Sequence, residues 1–218
     1  MEETEPSSGQ FNWYCGVNAT ETLNDFAWDL HHTLYNACFT DYLYALPHLI
    51  FVILGILVML ILGCCTKLRK RKHPYLIQFP GHNTRWVFNF VFISLTLCEL
   101  GESILTNVDV YHDMPSQPHL YVPAIMSLAA ALLSMIYYNQ MELWSKPHMM
   151  WLLLLYWMAA LGVEIVRFIN LNHDIDVDAT LLRFDLSIAA IVMYSFYLIL
   201  EVCVIMMKVN TFWFSYNF

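Results

Sequence analysis

Acidic and basic side chains inside long apolar stretches are the residues of this chain that could carry chemistry. Glu99 and Glu102 lie three positions apart, as do Glu164 and Arg167, and Glu201 lies in a further apolar stretch. Residues three apart share one face of a helix, so Glu164 and Arg167 are predicted to form an intrahelical ion pair. Charged side chains within a membrane are costly and therefore need a partner or a function.

Two interpretations of this intramembrane polar network differ in function. An ion or proton pathway would use the carboxylates as successive binding groups on a route through the protein. Transporters of that kind often have internal repeats and interrupted helices near the membrane midplane, and the sequence shows neither. We therefore favour the second interpretation, in which hydrogen bonds and ion pairs of the network hold helices together.

The elements that must position these residues are five apolar segments. Hydrophobic residues make up 59% of the chain and charged residues 13%, against about 45–50% and about 25% in soluble domains. Continuous runs of about 20 apolar residues favour membrane-spanning helices over a β-barrel. The sequence predicts an all-α membrane protein, a bundle of five transmembrane helices. The predicted parts are a tail at 1–43, spans at 44–64, 86–106, 120–139, 148–169 and 186–207, and a tail at 208–218.

The distribution of charge predicts the orientation of the bundle. A dense basic run, Lys67–Lys72, follows the first span directly, and cations in short loops stay in the cytoplasm. Most acidic residues outside the spans lie in the first tail or in the connections on the opposite side. We predict an extracellular N-terminus and a cytoplasmic C-terminus in the plasma membrane, reached through the endoplasmic reticulum. The first span is expected to act as the insertion signal, because the first residues do not resemble a signal peptide.

The N-terminal tail carries two features that depend on this orientation. Cys15 and Cys38 are its two cysteines, and the oxidising outer side would allow them to form a disulfide. Asn18 begins an Asn-Ala-Thr sequon, which has meaning only on a lumenal segment. The sequence therefore predicts a disulfide bond and a glycosylated Asn18.

Motifs of common enzyme and cofactor sites are missing from the sequence. No glycine is followed by the lysine of a phosphate-binding loop, and no zinc-protease or serine-hydrolase motif occurs. The net charge of −8 does not provide the basic face that nucleic acid needs. We predict a protein without enzymatic activity, cofactor or metal site, and without a nucleic-acid partner.

The connection between the first two spans, residues 65–85, combines cations with aromatic residues. Such a segment fits the anionic lipid headgroups of the inner leaflet, and its prolines and glycine argue against a continuous helix. Asn83 or Thr84 is expected to cap the second span, with Arg85 and Trp86 anchored at the membrane interface. A docking surface for a partner's cytoplasmic segment is the alternative interpretation.

Short motifs in register along the chain resemble the sulfonylurea receptors, members of ABC transporter subfamily C. The resemblance extends over roughly residues 15–208 and touches all five spans. The motifs that carry it most clearly are Pro47-His48, Phe79-Pro80-Gly81-His82-Asn83 with Arg85-Trp86, Cys98-Glu99 with Glu102, Tyr137-Tyr138, Glu142 and Glu201-Val202.

This resemblance implies the five-helix accessory domain that precedes the transporter core in this subfamily. In sulfonylurea receptors the domain packs against the pore subunit of the ATP-sensitive inward-rectifier K⁺ channel, so the implied function is binding and regulation of such a channel. The expected contact surface is the first span with its flanking residues, the inner connection, and one acid at the inner end of the third span. Its residues are Pro47, His48, Phe79, Pro80, Gly81, His82, Asn83, Arg85, Trp86 and Glu142.

A second function stays open at this point. In multidrug-resistance-associated exporters the same domain serves trafficking and retention, with the core of the ABC transporter as its partner. The sequence reaches Phe218 without a transporter core, which fits either part of a longer ABC protein or a free-standing homologue of the domain. Sulfonylurea binding and nucleotide sensing belong to the missing parts and are not implied.

Overall fold

The computed structural model describes residues 37–68, 81–110, 118–144, 147–173 and 180–216. They form five long helices and one short 3₁₀ helix, Pro147–Met150. Each long helix contains a stretch that is long and apolar enough to cross a membrane. The helices are α1 Ala37–Leu68, α2 His82–Val110, α3 Pro118–Leu143, α4 Trp151–His173 and α5 Thr180–Tyr216. The predicted all-helical class with five spans is confirmed.

The helices are longer than the spans predicted from hydropathy. α2 begins at His82, four residues before its predicted span, and α5 continues to Tyr216. Gly81 precedes α2 with a φ of 80°, and its carbonyl accepts the first helical hydrogen bond, from the Arg85 amide at 2.9 Å. Asn83 and Thr84 therefore lie in the first turn of α2, and the prediction that one of them caps the helix was wrong.

The five helices pack in a ring, in the order α1–α3–α2–α5–α4 and back to α1. Thr40 near the start of α1 accepts a hydrogen bond from Asn170 near the end of α4, at 2.9 Å, so these two neighbours are antiparallel. Small buried residues of α3, Ala124, Ala130 and Ala131, allow close helix contacts. Chain order and ring order therefore differ, because α3 lies between α1 and α2.

Aromatic side chains fill the middle of the ring. Trp157 of α4 stacks on Tyr197 of α5 with ring centres 4.3 Å apart, and Phe92 of α2 meets Trp157 edge-on at 5.6 Å. We call this group the aromatic layer; its members are Phe51, Phe92, Tyr156, Trp157, Tyr194 and Tyr197, all of them buried. On α2 and α5 it falls between two sets of buried polar residues.

The outer surface of the ring is apolar. Large aliphatic side chains such as Ile53, Leu60, Val87 and Ile199 are more than half exposed. A bundle with an apolar outside and polar groups inside is suited to lipid as its solvent. A soluble bundle has polar residues outside and apolar residues inside; here charged and polar residues lie inside, and the outer surface is apolar.

Candidate functional site

The buried face of α2 is the structural basis of the site. Arg85, Asn89, Phe92, Thr96 and Glu99 follow one another at spacings of four and three residues, which keeps them on one helix face. All five are at most 6% exposed. Four of the five are polar, and the two charged ones are about 21 Å apart along the helix axis. α2 thus brings a charged group to each end of the ring interior.

The first polar cluster is centred on Arg167 of α4, at the end of the bundle where α1 begins. Its Nη1 donates to Oε1 of Glu99 on α2 at 2.5 Å and lies 3.7 Å from Oε1 of Glu164. The intrahelical pair expected from spacing is therefore present, and Glu99 supplies a shorter contact from another helix. Two buried carboxylates share one guanidinium.

Hydroxyl groups complete this cluster. Tyr44 of α1 donates to Oε2 of Glu99 at 3.2 Å, and its oxygen lies 3.4 Å from Oγ of Ser127 on α3. Ser187 of α5 donates to Oε1 of Glu164 at 2.5 Å. We name the set of Tyr44, Glu99, Ser127, Glu164, Arg167 and Ser187 the Arg167 cluster. It takes a side chain from every one of the five helices.

A further ion pair lies one turn beyond the Arg167 cluster on α2. Nε of Arg183 on α5 donates to both carboxylate oxygens of Glu102, at 3.1 and 3.2 Å. Glu102 is buried and Arg183 is partly exposed. This contact ties α2 directly to α5 at the same end of the bundle.

The second polar cluster lies at the opposite end and is centred on Arg85 of α2. Its Nη1 is 2.7 Å from Oε1 of Glu201 on α5, and its guanidinium lies 4.5 Å from the ring centre of Tyr138 on α3. Nδ1 of His82 is 2.7 Å from Oε2 of Glu142, and Oε1 of Glu142 accepts from the Tyr138 hydroxyl at 3.5 Å. We name these five residues the Arg85 cluster; it joins α2, α3 and α5.

The structure separates the residues of the predicted network. Glu99, Glu102, Glu164 and Arg167 lie near one end, and Glu201 lies at the other with Arg85. The prediction that Arg85 anchors α2 at the membrane interface was wrong, because its side chain is only 3% exposed. Its guanidinium pairs instead with the buried carboxylate of Glu201 on α5.

The residues predicted at a partner surface occupy several environments. Pro47 lines an apolar groove of about 380 Å³ between α1 and α4, whereas His48 is fully buried with Nδ1 3.0 Å from the Tyr156 hydroxyl. Gly81 and Asn83 are exposed. The other members are distributed as follows: His82 and Trp86 are partly buried, Arg85 and Glu142 are buried, and Phe79 and Pro80 lie outside the described residues. Their role in partner binding stays a prediction.

The predicted features of the N-terminal tail also lie outside the structural description. Cys15 and Asn18 precede the first described residue, and the side chain of Cys38 is not described. The disulfide and the glycosylation therefore stay predictions. Among the described residues, no group of three metal-binding side chains lies close enough to hold a metal ion.

Several network residues were missed by sequence reasoning. Tyr44, Ser127 and Ser187 lie in apolar segments, and nothing in their local sequence indicates that their hydroxyl groups belong to a polar cluster. Arg85 and Asn89 did carry a signal, because their spacing continues the stripe that ends at Glu99. The regular polar stripe on α2 can therefore be predicted from the sequence, but its partners on α5 cannot.

The chain is similar to several curated proteins, and no protein-family model matches it. Human ATP-binding cassette sub-family C member 8 is 34% identical over 179 residues, which is 80% of this chain and 11% of the relative. The proteins of the same name from Cricetus cricetus and Rattus norvegicus are 32% identical over the same shares. The chain thus spans about a tenth of the length of these relatives.

Proposed function

Since the chain carries a sulfonylurea-receptor-like region of ABC transporter subfamily C over four fifths of its length, we propose that it is a non-catalytic accessory domain. Its function would be to bind an inward-rectifier K⁺ channel in the plasma membrane and to regulate it. The similarity to the sulfonylurea-receptor relative is the observation that carries this proposal. Extracellular and cytoplasmic ends are assigned as the charge distribution predicts.

The polar interior supports a binding role over transport. In both clusters the carboxylates are engaged by guanidinium, imidazole or hydroxyl groups from neighbouring helices. The aromatic layer fills the space between the clusters with stacked rings. Polar groups that bond to neighbouring helices hold the bundle in one arrangement. A bundle of this kind presents the same outer surface to a partner at all times.

The outer face of α1 is the surface that we assign to the partner. Only 22% of the most apolar stretch of α1 is buried within the bundle, against 33–44% in the other four helices. Most of its exposed residues are aliphatic, among them Ile53, Leu57 and Leu60. The groove beside Pro47 continues this face toward α4. A transmembrane helix of the channel would find there a continuous apolar surface for van der Waals packing.

The test is co-expression with an inward-rectifier pore subunit, followed by pull-down and patch-clamp recording. The wild-type chain should co-purify with the pore subunit and change its current. Ile53→Trp on α1 should weaken both effects, while Val192→Trp on α5 serves as the matched control. The two positions are 57% and 49% exposed, so lipid alone would tolerate either change.

Two results would count against the proposal. If correctly folded protein recovers no pore subunit and leaves the current unchanged, the chain is not a channel partner. If it instead co-purifies with the core of an exporter of subfamily C, the trafficking function replaces the proposed one. Equal effects of Ile53→Trp and Val192→Trp would reject α1 as the contact surface.

The inner connection is assigned to anionic lipid under the same proposal. Its cations Arg69, Lys70, Arg71 and Lys72 follow α1 in the sequence, and each cation near an anionic surface contributes about 1 kcal/mol. Binding to vesicles that contain phosphatidylserine should fall when Lys70, Arg71 and Lys72 are replaced by Gln. Unchanged binding would leave the segment as a determinant of orientation alone.

A further inference from the structure

A small cavity lined by buried side chains adjoins the Arg85 cluster. The volume that the centre of a water molecule could occupy is about 10 Å³. This is close to the space that a single buried water needs. Side chains from α2, α3, α4 and α5 surround it. Those that matter here are Arg85, Asn89, Ser134, Trp157, Tyr197 and Glu201.

Three of these side chains bring buried polar atoms without a hydrogen-bond partner among the described residues. They are Nε and Nη2 of Arg85, Nε1 of Trp157 and the carboxylate of Glu201, whose Oε1 has the ion pair as its only close contact. All three residues are at least 97% buried. Buried polar atoms of native proteins are almost always hydrogen-bonded to protein or to ordered water.

The chemistry of these atoms selects the ligand. Arg85 and Trp157 can only donate hydrogen bonds, and ionised Glu201 can only accept them. Arg85 and Glu201 also neutralise each other. A bound cation would be repelled by the guanidinium, and a bound anion would be repelled by the carboxylate. A water molecule accepts from two donors and donates to an acceptor while it adds no charge.

We propose that one water molecule is bound in this cavity as a fixed part of the bundle. It accepts hydrogen bonds from Arg85 of α2 and Trp157 of α4 and donates to Glu201 of α5. The ion pair between α2 and α5 is thereby extended to α4, which the direct contacts of the Arg85 cluster do not reach.

Radiolytic hydroxyl labelling of the full chain in nanodiscs, read by mass spectrometry, tests the proposal. A bound water that is split by the X-ray beam oxidises the side chains beside it, even where bulk solvent cannot reach. Tyr197 and Tyr137 make a matched pair, because both are buried tyrosines whose hydroxyls donate to protein groups and, of the two, only Tyr197 lines the cavity. We expect Tyr197 to be labelled several-fold faster than Tyr137; equal rates would overturn the proposal.

A filling variant shows whether the label comes from this cavity. Ser134→Thr adds one methyl group at the cavity wall and keeps the hydroxyl that donates to the Ala131 carbonyl. It should lower the labelling of Tyr197 to the rate of Tyr137. Ser195→Thr is the control, since Ser195 donates to its own helix at Ile191 and does not line the cavity. Undiminished labelling in folded Ser134→Thr would show that water reaches Tyr197 by another route and would reject the site.

Discussion

At the scale of single residues, the two arginines inside the ring decide how the charges of this protein are balanced. Arg167 stands between two carboxylates from different helices, and Arg85 stands opposite Glu201. Removing one partner of a buried pair leaves the other charge uncompensated, which costs far more than the pair contributes while intact. Substitution of either arginine should therefore affect folding first and any partner only as a consequence.

Arg167→Gln should destabilise the bundle by about 3–5 kcal/mol, since it leaves Glu99 and Glu164 close together without a cation. Thermal unfolding in detergent, followed by fluorescence-detected gel filtration, measures the effect. Asp185→Asn removes a charge from an exposed position of α5 and should change the unfolding temperature little. Similar unfolding temperatures for both variants would show that the Arg167 cluster does not stabilise the helices.

Glu142→Lys should reduce delivery to the cell surface by several-fold, with little change in membrane insertion. Glu142 is 3% exposed and lies against His82 and Tyr138, so a lysine would bury a cation beside the imidazole. Glu142→Gln keeps an acceptor and should be milder. Surface biotinylation against total protein gives the comparison. Normal surface levels and unchanged channel regulation in the lysine variant would show that the buried contacts of Glu142 are not needed for delivery or regulation.

At the scale of helices, α2 and α5 are bound to each other at three heights. Arg183 contacts Glu102 at one end, Tyr197 donates to Asn89 at 2.8 Å nearer the middle, and Arg85 contacts Glu201 at the other end. The contact of α1 with α3 has a hydroxyl pair, Tyr44 with Ser127, and close packing at Gly55 against Leu133. The ring thus combines one strongly polar seam with seams that depend on close packing.

Gly55→Leu should open the seam between α1 and α3. A Cβ added at Gly55 would lie 3.1 Å from Cδ2 of Leu133, whereas one added at Gly162 on α4 meets nothing within 4 Å. We expect Gly55→Leu to cost about 1–3 kcal/mol by overpacking and Gly162→Leu to be tolerated. The same unfolding assay applies. A stable Gly55→Leu protein would mean that α3 can move away from α1 without a cost in stability.

Hydropathy predicts the number and approximate place of the helices, because lipid requires long apolar stretches whatever their neighbours are. It does not predict the ring order, since the order depends on which polar side chains meet. The pair of Glu164 and Arg167 was readable from spacing within one helix. The pairs of Arg85 with Glu201 and of Arg167 with Glu99 were not, because their partners are distant in sequence. Arg85 was misplaced at the interface for that reason.

At the scale of the whole molecule, orientation decides which chemistry each tail can undergo. The charge distribution predicts that the tail at 1–43 lies outside the cell. Asn18 should therefore be glycosylated in eukaryotic cells, and glycosidase treatment should increase gel mobility of the wild type but not of Asn18→Gln. Identical mobility of all four samples would contradict the orientation.

Cys15 and Cys38 should be bonded to each other on the same side of the membrane. Closing a loop of this length would contribute roughly 3 kcal/mol in the chain-entropy model. Mass spectrometry of alkylated, non-reduced protein should give one cross-linked peptide pair. Two alkylated thiols would disprove the bond without affecting the assignment of the helices.

The polar seam between α2 and α5 has a consequence for biogenesis. A ribosome completes α2 long before α5, so Arg85, Glu99 and Glu102 enter the membrane while the residues that will neutralise them do not yet exist. We expect the nascent α2 to remain bound to the insertion machinery, or to a membrane chaperone, until α4 and α5 have been inserted. A chain that stops after α3 should then be retained and degraded, even though it contains three complete hydrophobic spans.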